Sequence, residues 1–281
     1  PDITLMSAVY DDFGSLIGYV INRAHHAELG GSRPGSMPPD AKNLEEEGVV
    51  IPPTYLVKRG QVQWRLIQSL LGGSSYPSRS VDENIADINA ALASLRRGSE
   101  ALKELVRQYG LEKVHTYMQK LKDNAGAILQ EYIRPYDNRV FKAQESLDDG
   151  HTIKVTIAVK DGHINFDFSG TSAVHPGNLN ANVSIVYSAV LYVLRLLCRK
   201  PIPLNEGLMQ KVSIQLPDSS FLHPVFPDIP SECPAVVGGN TEVSQRLVDT
   251  LLKALGLSAC SQGTMNNFLF GNDTFGCYET I

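Results

Sequence analysis

The sequence is poor in the features that mark disulfide-rich and nucleic-acid-binding proteins. Its 281 residues contain four cysteines, and no two of them form a CxxC pair, which excludes a disulfide scaffold and a zinc ribbon. There are 25 Lys and Arg against 30 Asp and Glu, so the net charge is −5. Without a surplus of positive charge to neutralise phosphates, nucleic acid is not expected as a partner.

Long apolar runs are also scarce. The most apolar stretch, residues 183–198, contains Arg195 and ends at Arg199-Lys200, so it is too short and too charged to span a membrane comfortably. We predict a buried core helix there and no membrane association. The chain opens without a basic leader before an apolar segment, and we expect a cytoplasmic protein. Both ends read as cuts through a longer polypeptide.

Nucleotide-binding and nucleophile motifs are missing. Gly238-Gly239-Asn240 precedes a predicted helix, where backbone amides could bind an anion, but no Gly-Lys-Ser/Thr follows, so it is not a phosphate loop. No serine lies in a G-x-S-x-G frame and no cysteine lies beside a histidine. A serine or cysteine nucleophile therefore has no support in the sequence.

The apolar patterns predict an α+β fold with an antiparallel, β-rich body. Residues 3–10 and 16–21 are β-prone on either side of an Asp-Asp-Phe-Gly turn, which predicts a strand pair. Residues 153–159 and 164–168 alternate apolar and polar side chains around Lys-Asp-Gly, which predicts a β-hairpin. An amphipathic helix is predicted over 241–255.

A longer helical pattern lies between the two β regions. Ser80 and Glu83 have the spacing of a capping box, and apolar residues then recur every three or four positions over 85–109 and 114–132. Because Gly110 can end the first helix, we predict an inserted antiparallel helical hairpin. This divides the chain into a strand-and-loop segment at 1–79, the hairpin at 80–134 and an α+β body at 135–281.

Asp2 and His25 are candidate metal ligands. If the first two strands pair, the start of one and the end of the other lie side by side, which brings a carboxylate and an imidazole together. This donor set suits Mn, Fe or Zn, although two ligands are too few for a complete site. His26 is the reserve ligand, because adjacent residues face opposite sides of a strand. The alternative is a hydrogen-bonded histidine pair, with Asp2 merely at a strand end.

Two further groups could carry chemistry. Glu28 is a candidate catalytic carboxylate, and Gly30-Gly31 could allow a ligand to approach the backbone, although a tight turn explains the glycines equally well. Several carboxamides lie in Gly-rich turns or at helix starts and could converge on an amide, a carboxylate or an oxyanion. Each could instead be a turn or helix-cap residue. They are Asn178, Asn180, Asn182, Asn240, Gln262, Asn266 and Asn267.

These motifs resemble those of the hydantoinase B family, and the chain reads as a fragment of a longer domain of this kind. The family includes subunits of ATP-dependent N-methylhydantoinase and of acetone and acetophenone carboxylases, and the C-terminal half of ATP-dependent 5-oxoprolinase. The last is the branch that the end of the chain resembles most. The matching runs are RAHHAELGG (23–31), PGSMPPDA (34–41), EEEG (45–48), DDG (148–150), DFSGTS (167–172), GNLNAN (177–182), IPLNEG (202–207), VVGGN (236–240), SQRLVD (244–249) and SQGTMNN (261–267).

The resemblance implies a division of labour between two halves. ATP and Mg²⁺ would bind to a companion hydantoinase A-like half, and this chain would complete the hydrolysis of a cyclic amide such as 5-oxoproline. In the carboxylase relatives a divalent metal is held by a His-x-x-Asp pair and a later histidine. Asp2 and His25 match the last two of these ligands, and the first histidine would precede Pro1.

The chemistry of the candidate side chains sets the expected roles of the site residues. Asn266, Asn267 and Glu28 are expected to act in catalysis, and the remaining candidates are expected to bind substrate; these are Gly30, Gly31, Asn178, Asn180, Asn240 and Gln262. An oligomer is expected. The alternatives are an N-methylhydantoinase-type hydrolase, a carboxylase-type subunit, and a non-catalytic half that only docks to its companion.

Overall fold

The computed structural model describes residues 1–259, 267–272 and 275–280. The chain divides into two compact units. The first comprises Pro1–Asn124 and Pro227–Cys233, and the second comprises Ala125–Phe226 and Pro234–Ile281.

The secondary structure of the described residues mixes helices and strands. The helices are α1 (Leu44–Glu47), α2 (Trp64–Gly72), α3 (Val81–Tyr109), α4 (Leu111–Ile133), α5 (Val183–Leu197) and α6 (Glu242–Leu255). The strands are β1 (Asp2–Tyr10), β2 (Leu16–His25), β3 (Val57–Lys58), β4 (Gln61–Val62), β5 (Arg139–Ser146), β6 (Thr152–Lys160), β7 (His163–Asp167), β8 (Val212–Gln215), β9 (Asn267–Asn272) and β10 (Phe275–Thr280). Within the described residues, no helix has the length and apolarity needed to cross a membrane.

The first unit is built on the predicted strand pair. β1 and β2 are antiparallel, with Asp2 opposite His25 and Met6 opposite Ile21. The turn between them is held by Asp11, whose Oδ1 accepts hydrogen bonds from the backbone N–H groups of Phe13 and Ser15. Leu5, Val9 and Ile17 are the buried residues of the pair, and α3 packs on this two-stranded sheet.

The two long helices form where the pattern predicts them, but their apolar stripes do not meet each other as predicted. Ile88, Leu92 and Leu95 of α3 belong to a core with residues of β1 and α2. Leu129 and Ile133 of α4 belong instead to the core of the second unit. A periodic stripe shows that a helix has an apolar face but does not identify what that face packs against. The two helices therefore do not pack on each other as the predicted hairpin required.

The second unit contains a four-stranded sheet in the order β5-β6-β7-β8. β5, β6 and β7 are antiparallel neighbours, and β8 is parallel to β7. The apolar side chains of β6 are buried, and α5 and α6 contribute to the same core. The predicted α+β class and buried core helix are therefore confirmed.

The ends of the two core helices explain why they start and stop where they do. Asn182 caps α5, since its Oδ1 accepts a hydrogen bond from the backbone N–H of Ile185 at 3.2 Å. Gly256 ends α6 in a left-handed conformation with φ 63°, which a glycine adopts without steric strain.

Candidate functional site

The first candidate site lies where β1 begins and β2 ends. Asp2 and His25 face each other directly in the strand register, and both are exposed. The backbone N–H of His26 donates to the carbonyl of Pro1 at 2.8 Å, so Asp2 and His25 form the non-hydrogen-bonded kind of pair, in which side chains lie closest. The register thus presents a carboxylate and an imidazole on one face.

His26 occupies a different environment from His25. Its side chain is buried, and its Nδ1 lies 2.8 Å from Oδ1 of Asn84. Because an amide oxygen only accepts hydrogen bonds, Nδ1 of His26 carries a proton in this pair. The two adjacent histidines therefore divide into an exposed residue beside Asp2 and a buried residue tied to α3.

Glu28 is the centre of a buried network beside these histidines. One carboxylate oxygen accepts from the Gly30 backbone N–H at 2.9 Å and from the Arg79 guanidinium at 2.8 Å. The other accepts from the Ser78 hydroxyl at 3.0 Å and from the Arg79 backbone N–H at 2.8 Å. Asn84 joins the network by donating to the backbone carbonyl of Glu28 at 2.8 Å.

These contacts decide the charge of Glu28. Burial acts to raise the pKa of its carboxyl, but the hydrogen bonds from Arg79, Ser78 and Gly30 outweigh burial, so the pKa lies below its ordinary value. Glu28 is therefore an anion whose oxygens are already occupied by the protein's own donors.

The adjacent glycines are also explained by the chain itself. Gly30 and Gly31 have φ of 81° and 94°, a region that side chains rarely adopt. A Cβ on Gly30 would overlap the backbone of Tyr76, and one on Gly31 would lie 2.8 Å from the carbonyl oxygen of Glu47. In this structure the backbone of Tyr76 and Glu47, and not a ligand, lies against the two glycines.

Two of the predicted amide-bearing loops meet in the second unit. The backbone N–H of Gly238 donates to the carbonyl of Asn178 at 3.0 Å, and Gly239 packs so closely on Asn180 that a side chain would overlap it. Asn240 is exposed and follows directly. The structure thus brings Asn178, Asn180 and Asn240 into one region, as a shared pocket would require.

Both polar atoms of the Asn180 side chain, however, are hydrogen-bonded to backbone groups of that region. It is completely buried, and its Nδ2 donates to the carbonyls of His175, Gly177 and Ala235 at 2.9–3.0 Å. Its Oδ1 accepts from the His175 backbone N–H at 2.8 Å. Asn180 therefore fixes the 175–180 loop. Gln262 and Asn266 lie outside the described residues, and Asn267 is the first residue of β9.

Asp149, His151 and His175 form a cluster in the second unit that the sequence did not predict. Oδ2 of Asp149 lies 2.9 Å from Nδ1 of His151 and 2.6 Å from Nε2 of His175. One donor atom from each residue lies within 4.8 Å of the others, a grouping that could hold a metal ion. Burial acts to raise the pKa of Asp149, but the hydrogen bonds from the His151 backbone N–H and the His175 imidazole, with the electrostatic influence of both histidines, outweigh burial, so the pKa lies below its ordinary value.

The whole chain, residues 1–281, matches the family model described as hydantoinase B/oxoprolinase. The chain belongs to this family. Among curated relatives of this hydantoinase B chain, 5-oxoprolinase 1 of Arabidopsis thaliana is 41% identical, with 100% of this chain and 24% of that protein covered. The 5-oxoprolinase of Dictyostelium discoideum is 38% identical, with 100% of this chain and 22% of that protein covered.

A solved structure supports the fold of this hydantoinase B chain. The ATP-dependent caprolactamase from Pseudomonas jessenii superposes with a TM-score of 0.77 at 23% identity, over 95% of this chain and 45% of that one. The chain thus spans about a quarter of the length of the curated relatives named here.

Proposed function

We propose that this chain supplies the hydrolytic part of an ATP-dependent 5-oxoprolinase, which opens 5-oxo-L-proline to L-glutamate. The observation that carries the proposal is that the whole chain matches part of two 5-oxoprolinases, at 41% and 38% identity. Because the chain spans only part of those relatives, ATP and Mg²⁺ are assigned to a companion hydantoinase A-like part. We further propose a cytoplasmic, oligomeric enzyme.

The chemistry explains why two parts are needed. A lactam carbonyl is a poor electrophile, and converting its oxygen to a phosphate ester at the expense of ATP activates the carbon. Water then adds to that carbon and the ring C–N bond breaks, with a proton passing to the ring nitrogen, which leaves an acyl phosphate. A second water hydrolyses the acyl phosphate to the carboxylate and inorganic phosphate. This chain offers groups suited to the second stage, and it contains no nucleotide-binding motif for the first.

Asp2 and His25 fit part of a divalent metal site. They are exposed, directly opposite in register and of the donor types that Mn, Fe and Zn accept. Such an ion would supply Lewis acidity and lower the pKa of bound water. Buried His26 and the Glu28 network hold the backbone at the end of β2, directly beside His25.

Two carboxamide residues near the end of the chain are proposed to act on the reacting carbonyl. Asn266 and Asn267 are proposed to donate hydrogen bonds to the oxyanion that forms at the ring carbon. Removing one such donor typically lowers the rate by about 10²–10³-fold. In the Asn266→Ala and Asn267→Ala enzymes, phosphate release should therefore exceed glutamate formation.

The test uses the intact enzyme that contains this chain. Asp2→Ala and His25→Ala should each lower the divalent metal content measured by elemental analysis, and glutamate formation should fall with it. Thr4→Ala is the matched control, because Thr4 lies one pair further along the same strand face, where Arg23 donates to it at 2.9 Å. Full metal occupancy in both variants would contradict the metal assignment.

A substrate panel tests the rest of the proposal. ATP-dependent ring opening should be fastest with 5-oxo-L-proline, compared with hydantoin and caprolactam. If another ring is opened faster, 5-oxo-L-proline is not the preferred substrate, but the ATP-dependent opening of a cyclic amide still holds. Strictly proportional loss of phosphate release and glutamate in every site variant would favour a docking role instead.

A further inference from the structure

The Asp149, His151 and His175 cluster has a proton arrangement that can be worked out from its contacts. The three residues come from two loops, one joining β5 to β6 and the other following β7. Their side chains are 36%, 25% and 13% exposed. Because the pKa of Asp149 is lowered, its carboxylate is an acceptor for both imidazoles.

The contacts of His175 fix its tautomer. Its Nδ1 accepts a hydrogen bond from the backbone N–H of Gly177 at 2.9 Å, and a backbone N–H can only donate. The neutral ring therefore carries its proton on Nε2, which donates to Oδ2 of Asp149 at 2.6 Å. Asn180 holds the backbone of the same loop at three carbonyls, so this ring is firmly oriented.

The proton of His151 lies on Nδ1. Its Nδ1 lies 2.9 Å from Oδ2 of Asp149 and must donate to it, while its backbone N–H donates to Oδ1 at 3.0 Å. The lone pair of neutral His151 is then on Nε2. Within the part of the chain that the structure describes, no group is hydrogen-bonded to that atom. The His151 ring packs against the His175 ring, with the ring centroids 4.5 Å apart, and makes an edge contact with the Phe221 ring, with the centroids 5.9 Å apart.

We propose that Nε2 of His151 is a proton acceptor for a ligand's neutral O–H group, with Asp149 and His175 as positioning residues. In the hydrolysis proposed above, on which the choice of ligand rests, the O–H group belongs to water. The proton passes to Nε2, the O–H electron pair stays on oxygen and forms the new bond to carbon, and the resulting imidazolium is stabilised by the Asp149 carboxylate. The proton later leaves with the ring nitrogen.

This arrangement differs from that of a metal-binding site. A metal ion held by Nδ1 of His151 and Nε2 of His175 would need lone pairs on the two nitrogens that carry protons here. His175 would then have to move a proton to Nδ1, where it would face the Gly177 N–H. The hydrogen bonds therefore favour the Asp–His pair over a bound ion.

The first experiment is nitrogen-15 NMR of the histidine rings at pH 8.5, where an ordinary imidazole is neutral. His151 should show the Nδ1–H tautomer and His175 the Nε2–H tautomer. His163 is the internal control: Ser213 donates its hydroxyl proton to Asn165, so Nε2 of His163 must donate to Ser213 at 3.0 Å. An Nε2–H tautomer at His151, or joint shifts of His151 and His175 on adding Zn²⁺, would overturn the proposal.

The second experiment measures turnover in the intact enzyme. His151→Ala should lower kcat by about 10²–10⁴-fold, the usual contribution of general base catalysis, with KM little changed. Asp149→Asn should lower kcat less and give a mixture of tautomers at His151. An unchanged kcat in His151→Ala would overturn the inference, whereas an inactive wild-type enzyme with normal tautomers would count against the proposed function alone.

Discussion

Each of the two units contains a carboxylate that accepts several hydrogen bonds, and the donors differ. Glu28 is bound by a guanidinium, a hydroxyl and two backbone N–H groups. Asp149 is bound by two imidazoles and one backbone N–H. Both pKa values are lowered despite burial, so both groups are anions near neutral pH.

The type of donor determines whether each carboxylate only stabilises the fold or can also take part in proton transfer. A guanidinium and a backbone N–H remain donors under all ordinary conditions, so the Glu28 network has one arrangement and holds the fold. An imidazole can move its proton from one nitrogen to the other. The Asp149 cluster can therefore exchange a proton without losing its geometry.

The largest effect is expected from Glu28→Gln. The glutamine amide keeps the size of the side chain, but in either orientation its NH₂ would face at least one N–H donor of Gly30 or Arg79, and an N–H group cannot accept a hydrogen bond. Breaking such a buried pair costs about 3 kcal/mol here, at the lower end of the usual range, because Arg79 is half exposed and can turn to water. Urea denaturation of the 281-residue chain measures this loss.

The matched control for Glu28 is Asp40→Asn. Asp40 pairs with Arg33 at 3.2 Å, and both side chains are more than 60% exposed. Exposed pairs contribute roughly 0–1 kcal/mol, so this variant should unfold almost like the wild type. Equal losses for the two variants would show that the Glu28 network does not depend on burial.

A smaller effect is expected from Asp149→Asn. The His151 imidazole can change tautomer to accept from the new amide, so the loss should be about 1 kcal/mol, near that of an ordinary hydrogen bond. Hydrogen exchange should speed up in the 175–180 loop and not around Glu28. A loss as large as that of Glu28→Gln would break the proposed contrast.

The sequence predicted much of the fold because periodicity reports directly on which face of an element is buried. The β1–β2 pair, the β6–β7 hairpin and the α5 core helix follow from local alternation and turn residues. Periodicity does not show which other helix or strand a buried face packs against. Leu121 continues the apolar stripe of α4 yet is 52% exposed, so an apolar position is not always a buried one.

The candidate site was predictable only where its residues share one strand pair. Asp2 and His25 could be matched because a turn fixes their register. The Asp149 cluster depends on two loops 26 residues apart that meet only in the folded chain. The available signal was local: an aspartate in a tight turn, followed two residues later by a histidine.

The smallest effect is on the pH dependence of stability. A carboxylate whose folded-state pKa is lowered contributes stability above its unfolded value, about 4.3 for Glu and 3.9 for Asp. That contribution is lost as the pH falls through the folded-state pKa. For Glu28 and Asp149 the loss should therefore begin below about pH 4, with no change from these groups between pH 5 and 7.

The measurement is the free energy of unfolding in urea at pH 5 and again at pH 3.5. Glu28→Gln should remove more of the acid-induced loss than Asp149→Asn, because the Glu28 side chain is 10% exposed and the Asp149 side chain 36% exposed, and water weakens the interactions of an exposed charge. If both variants lose as much stability between these pH values as the wild type, the lowered pKa values of the two carboxylates do not govern the acid sensitivity of the fold. A larger change in Asp149→Asn would reverse the comparison and make the imidazole-bound carboxylate the main support of stability in acid.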